Sequence, residues 1–344
     1  MGGVADKPLP VPVRPPGVAE DAILRVIVVP QEAAGMRLDV FLQSQFRHTS
    51  RTRARAILEQ SAYSGSGRRL TASDRVRGGD VVALWRAPFE TDEAQPPLPV
   101  VYEDAHLLVI DKPPLVAVHP TARYHRHTVI KRLEQERAGQ FLALIHRLDR
   151  DTSGLLLLAR TRDSERAFKL MLEERSLGAD EDGEESAAFD KEYLAITHGA
   201  PDEGTVELPL ELEPEHPLRV KMRVAEPGTG LAARTGVRVL GRRGKYALVG
   251  CALHTGRQHQ IRVHLAALGH PVVGDKLYGP DERLLARAAD GLLTAADLEL
   301  LELPRHALHA HRYRLLHAVT GVALDLLSPL PADLQSFWDR AEPA

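Results

Sequence analysis

The sequence predicts an α+β protein of two domains. Three observations carry this. Its 344 residues amount to about two ordinary domains. A Pro-rich break, Pro96-Pro97-Leu98-Pro99, follows the acidic Glu90, Asp92 and Glu93. Beyond it, strand-length apolar runs mix with helical periodicities without strict alternation, which argues against a doubly wound parallel sheet. The organisation expected is a flexible tail over 1–21, a small domain over 22–89, a linker over 90–99 and a large domain over 100–340.

In the small domain, Ile23 to Val29 reads as a strand. Leu38, Phe41 and Leu42 recur at helical spacing, and Thr49-Ser50 offers N-caps to a second helix from Arg51. Gly78-Gly79-Asp80 turns the chain into a strand over Val81 to Trp85. In the large domain, His106 to Ile110, Leu155 to Ala159, Lys191 to Thr197, Val237 to Leu240 and Tyr246 to Leu253 read as strands. Thr161 to Glu174 and Gln258 to Leu268 read as helices, the latter stopped by Gly269. Residues 173–190 are strongly acidic and read as a surface loop insertion.

Composition narrows the function classes. Lys plus Arg total 44 against 47 Asp plus Glu, so any basic surface must be local. Such a surface is present: Arg37 to Arg77 holds nine arginines against three carboxylates, which suits phosphate binding or a plain solvated face. Cys251 is the single cysteine, so neither an intramolecular disulfide nor a Cys-based zinc site can form. No apolar run is long enough to span a bilayer, and the N-terminus lacks the apolar region of a secretory signal. A cytoplasmic setting is expected. Motifs of the form G-x-x-x-x-G-K-[ST], H-E-x-x-H and G-x-S-x-G are absent.

The chemistry-bearing candidate is His146-Arg147-Leu148-Asp149-Arg150-Asp151-Thr152-Ser153-Gly154, a polar loop between two apolar runs. Flanking cations keep Asp149 ionised. A catalytic loop and a structural Asp–Arg turn are both open readings at this point. A second stretch, Thr255 to His264, places Gln258, Arg262 and Leu265 on one helical face, where an arginine can reach a carboxylate from another loop. Gly269 to Gly279 is a Gly-punctuated loop. Lys191 and Tyr193 share one side of a strand. His306, His309 and His311 have no acidic or thiol neighbour, so a metal site there is disfavoured.

Taken together, these blocks resemble the RluA-type pseudouridine synthases. The residues that carry the resemblance are His146-Arg147-Leu148-Asp149 with Thr152 to Leu157, and Asp111-Lys112-Pro113-Pro114 with His119-Pro120 upstream. Downstream they are Lys191-x-Tyr193-x-Ala195, Thr255 to His264, Gly269-x-Pro271, Gly274-Asp275-x-x-Tyr278-Gly279, Leu308-His309-Ala310 and Pro329-Leu330-Pro331. The basic segment resembles the alpha-L RNA-binding domain through Gly35-x-Arg37-Leu38-Asp39-x-x-Leu42, Ser50-Arg51 and Gly79-Asp80. It departs from that pattern at Ser61 to Gly67.

The resemblance implies a mixed, largely antiparallel sheet with flanking helices, and an N-terminal α+β RNA-binding domain. It implies an isomerase that detaches uracil from ribose, turns it and rejoins it through carbon 5. That reaction has no net redox change and hydrolyses no phosphate, so no cofactor and no metal are expected. Asp149 would be the catalytic carboxylate, Arg262 its partner, and Tyr193 the ring that stacks on uracil. Ile261 or Leu265 would pack near that ring, and Arg147 would hold the space left by the flipped nucleotide. Arg257 and Gln258 would contact RNA, and Arg51, Arg53 and Arg55 would contact phosphates. The expected partner is RNA, ribosomal or transfer, with the N-terminal domain favouring ribosomal; no membrane and no obligate protein partner are expected, and the enzyme is taken as a monomer. An RNA-binding protein of the same fold without catalysis is the alternative, and the intact Asp149, Tyr193 and Arg262 speak against it.

Overall fold

Two units divide the chain, Met1–Asp92 and Glu93–Ala344. A computed structural model describes residues 11–20, 22–46, 51–86, 95–121, 124, 126–178, 189–216, 220–289 and 292–343.

In the first unit, β1 (Ile23–Val28), β2 (Ala62–Ser64) and β3 (Val81–Arg86) form an antiparallel sheet with β3 central. Helices α1 (Leu38–Gln45) and α2 (Arg51–Ser61) cover it. The i, i+3, i+4 stripe read from the sequence is the buried face: Leu38, Phe41 and Leu42 pack with Ala54, Leu58 and Val82. Asp39 is buried beside this stripe because Arg37 and Arg51 neutralise it, with Nε–O distances of 3.1 and 3.0 Å. Residues 11–20, expected in a flexible tail, are packed instead. Pro12 and Pro15 are buried, and the Val13 N–H donates to the Gly65 carbonyl at 2.9 Å. The expected caps Thr49 and Ser50 lie outside the described residues.

The second unit runs β4 (Val100–Glu103), β5 (Leu107–Lys112), α3 (Val129–Glu136), β6 (Ala143–Leu144), β7 (Ser153–Ala159), α4 (Arg162–Gly178), β8 (Phe189–His198), β9 (Gly204–Glu207), β10 (Leu210–Leu212) and β11 (Met222–Val224). It continues β12 (Arg234–Arg243), β13 (Tyr246–Leu253), α5 (Gln260–Ala267), α6 (Arg283–Ala289), α7 (Ala295–Leu301), β14 (Leu308–Leu316), β15 (Ala323–Leu327) and α8 (Ala332–Arg340). Ten strands make one sheet along the path β4-β5-β7-β14-β8-β13-β12-β9, with β15 on β14 and β6 on β7. Among the described residues, β7–β14 is its one parallel pair. The α+β, largely antiparallel expectation therefore holds.

The apolar run Leu155 to Leu158 explains why β7 is central, since all seven of its residues are buried. Gly154 begins this strand at φ +106°, and a Cβ there would collide with the Ala310 carbonyl. Only glycine lets β14 approach to pair Ala310 with Gly154. Leu98 packs on the core and Pro99 accepts from Asp111 N–H at 2.8 Å, so the end of the expected linker joins this unit. The acidic stretch 173–190 is partly regular: α4 runs to Gly178 and β8 starts at Phe189. Residues 179–188 lie outside the described residues.

Candidate active site

The loop from Ile145 to Thr152 enters β7 and is fastened from several directions. Its own turn closes through Thr152 N–H to the Asp149 carbonyl at 3.2 Å. Lys112, fully buried at the end of β5, donates to the carbonyls of Pro113, Val116 and Arg150 at 2.8, 2.9 and 3.1 Å. Burial pushes this ammonium down to about 7. Buried Arg305 donates to the Asp151 carbonyl at 3.3 Å and grips Asp333 of α8 with two bonds of 2.7 and 3.0 Å. Lys276 holds the Asp151 carboxylate at 2.8 Å, and Arg150 holds it at 2.7 Å. Thr152 and Ser153 bond to His306, just before β14, and to His309 within it, at 2.7 and 3.0 Å.

Asp149 stands on this frame. Its Oδ2 accepts from Arg262 Nη1 at 2.8 Å. The same guanidinium donates from Nε and Nη2 to both oxygens of Asp275 at 2.6 and 2.8 Å. Asp275 is wholly buried and also accepts from the Leu277 and Tyr278 amides at 2.9 and 3.0 Å. Gly274 precedes it at φ +76°, where a Cβ would meet the Arg305 carbonyl. Arg262 therefore bridges a structural carboxylate and one that faces the cleft. Burial raises the Asp149 carboxyl, but the charges of His259 and Arg262 outweigh it and hold the group at about 2. Burial pushes His259 down to about 4, so at neutral pH the pair is carboxylate and neutral imidazole. The Tyr278 hydroxyl accepts from Met222 N–H and bonds His259 Nδ1, both at 2.8 Å. With the Tyr278 proton directed at Nδ1, the neutral ring carries its own proton on Nε2, 3.8 Å from Asp149 Oδ1.

Two cavities meet at Asp149 and share Arg147, Leu148, Gln258, His259 and Arg262. One, of about 350 Å³, is also lined by Lys191, Tyr193, Leu253, Ile261 and Leu308. The other, of about 310 Å³, reaches Tyr124, Lys276 and Leu285. The first has the mixed apolar and polar lining expected of a small-molecule or nucleoside pocket. Tyr193 presents its ring there while its hydroxyl bonds that of Tyr313 at 2.8 Å. Burial lifts the Tyr193 phenol to about 12.

Arg147 is exposed at the cleft mouth, Ile261 lines the wall, and Arg257 and Gln258 lie along the rim. Leu265 does not line the cleft; it is wholly buried in the core, one turn too deep on α5. In the first unit, Arg51 pairs with Asp39 and exposed Arg55 with Glu59 at 2.7 Å. The Arg53 side chain lies outside the described residues. His309 Nε2 and His311 Nδ1 both meet the Ser328 carbonyl, at 3.0 and 2.7 Å. Among the described residues no group of three or more His, Cys, Asp and Glu side chains is placed to hold a metal. No helix among them is long and apolar enough to cross a membrane. Lys112, Asp275, His259 and Tyr313 are the site-building residues that sequence reasoning passed over. Lys112, His259 and Asp275 had a signal, each lying in a block of the resemblance.

Comparison with known proteins agrees with this geometry. The profile of the RNA pseudouridylate synthase family matches residues 106–267, which span the Asp149 loop, Tyr193 and Arg262. The ribosomal large subunit pseudouridine synthase D of Xanthomonas campestris is 36% identical over 327 residues, covering 92% of each chain. Its namesake from Pseudomonas aeruginosa is 34% identical, covering 91% of this chain and 94% of the other. Among solved structures, human RNA pseudouridylate synthase domain containing 4 is 25% identical with a TM-score of 0.53, covering 72% of this chain and 95% of its own. The chain belongs to the RNA pseudouridylate synthase family.

Proposed function

We propose that this enzyme converts uridine to pseudouridine in large-subunit ribosomal RNA, with Asp149 as its catalytic carboxylate. The observation that carries the reading is the division of labour on that side chain. Arg262 holds Oδ2 at 2.8 Å, which leaves Oδ1 for the substrate. Oδ1 can attack the ribose carbon or take the proton of the neighbouring carbon to give a glycal; both routes need an ionised, oriented oxygen. Tyr193 stacks on the detached uracil and restrains it while it turns, and Ile261 packs beside it. A base pulled from its helix costs a few kcal/mol. Arg147 at the cleft mouth offsets this by occupying the vacated position.

The relatives named for the large ribosomal subunit, alike over nearly the whole chain, support ribosomal rather than transfer RNA. The basic first unit supplies phosphate contacts through Arg51, Arg53 and Arg55, which raises affinity without choosing sequence. The enzyme acts in the cytoplasm as a monomer and needs no cofactor, since the isomerisation is redox-neutral. The test is tritium release from 5-³H-uridine-labelled RNA. Release from large-subunit ribosomal transcript supports the reading. Release from transfer RNA alone overturns the target, and release from neither returns the chain to an RNA binder.

A further inference from the structure

Lys191 presents an unusual arrangement. It sits two residues before Tyr193 on β8, so both side chains leave the same face of the strand. The residue is only 8% exposed. Among the described residues its ammonium has neither a carboxylate partner nor a hydrogen-bond acceptor. Its contacts are the ring faces of Phe189 at 4.8 Å and Tyr313 at 5.7 Å. Burial pushes it down to about 7, and the charge of Arg175 adds to that push. A buried charge without a counter-charge is costly unless something else supplies one.

The surroundings show where that anion would come from. Lys191 lines the Asp149 cleft and also a separate cavity of about 490 Å³. His146, Gly256 and Arg257 form the rest of the shared wall. The far side of this cavity is α4, which contributes Lys169, Leu172, Glu173 and Arg175. Four cations thus face one carboxylate. Among the described residues Lys169 is tied only to Glu165 in an exposed i, i+4 pair, which is worth little. A nucleoside bound over Asp149 carries phosphodiesters on both sides of its ribose, and one of them must leave the cleft along a wall.

We propose that the cavity between α4 and the Lys191–Arg257 wall is a phosphate subsite. It receives the phosphodiester of the RNA strand adjoining the target uridine, with Lys191 as the buried ligand at its entrance. The proposal rests on the assignment of RNA as substrate. It adds an anchor that fixes the backbone beside the reacting nucleotide, distinct from the arginines of the first unit.

The test compares the full chain with its Lys191→Met, Lys191→Arg and Arg175→Gln variants on labelled large-subunit ribosomal transcript. KM and kcat are read by tritium release, and the slope of log affinity against log salt by filter binding. Lys191→Met is expected to raise KM about tenfold, as for a lost charged hydrogen bond. It should flatten the salt slope by ~0.7, the value for one single-strand phosphate contact. Lys191→Arg should restore the slope. An unchanged slope in Lys191→Met overturns the subsite even where kcat falls, because a purely structural lysine would move kcat and not the slope. Should circular dichroism show that Lys191→Met does not fold, the Arg175→Gln slope decides in its place, flattening for the subsite and constancy against it. Absence of tritium release by the wild-type chain would instead sink the assignment of RNA isomerisation on which the subsite depends.

Discussion

Arg262 Nη1 lies 2.8 Å from Asp149 Oδ2, although the two residues stand 113 positions apart in the chain. The contact exists because α5 follows β13 and the Asp149 loop precedes β7, with β14 and β8 between those strands in the sheet. The guanidinium is not free to swing, since its other edge is clamped to buried Asp275. Bidentate pairing of this kind fixes orientation as well as charge.

Asp275 is therefore a positioning residue. Asp275→Ala leaves a buried guanidinium with half its counter-charge and should destabilise the fold by about 3 kcal/mol. With Arg262 released, kcat should fall ~100-fold while KM for RNA stays near the wild-type value. Steady-state tritium-release kinetics on the folded variant check this. Equal losses in kcat and in RNA affinity would mean that Asp275 only holds the fold together.

Much of the site was legible in the sequence. Asp149, Tyr193 and Arg262 stood out as motif residues from separate blocks, and all three line one cleft. What escaped notice was their support, and the reason is physical. Lys112 ends an apolar strand, where a lysine ordinarily snorkels to water. Its burial follows only from three carbonyls converging on it from two loops. The grip of Arg262 on Asp275 joins a helix to a loop, which no local periodicity encodes. The bonds of Thr152 and Ser153 were likewise hidden, because their histidine partners lie about 150 residues away. The misplacement of Leu265 has the same origin: a shared helical face in sequence does not say which turn of that face reaches the cleft. The fold class was readable from mixed strand and helix patterns, whereas the parallel β7–β14 contact depends on Gly154 meeting a distant strand.

The hydroxyl pair Tyr193–Tyr313 allows a second test. Tyr193→Phe leaves the buried Tyr313 hydroxyl without its partner and should cost about 1–3 kcal/mol of stability. Removing both hydroxyls should restore part of that loss, since an unmade bond is worse than none. Urea denaturation of the two single variants and the double variant measures the coupling. Strict additivity would show that the hydroxyls do not interact.

Buried imidazoles set the response to acid. Burial holds His259 and His309 at about 4 and His306 at about 3, all below the 6.5 of a free side chain. The unfolded chain takes up these protons first. Their contribution to stability is complete above about 6.5 and is lost as the pH falls through the folded values near 4. Asp149, held at about 2 against 3.8, keeps its contribution until the pH drops below about 3.8. Melting temperature should therefore decline between about 6.5 and 4, before the Asp149 carboxyl titrates. A melting temperature constant down to about 4 would contradict the neutral-imidazole assignment.

The most direct measurement is tritium release by Asp149→Ala on 5-³H-uridine-labelled large-subunit ribosomal transcript, with RNA affinity followed in parallel. No release above background and RNA affinity close to wild type are expected. Turnover near the wild-type rate would contradict this, because no other carboxylate among the described residues lines both halves of the cleft beside Arg262 as an alternative with an open oxygen.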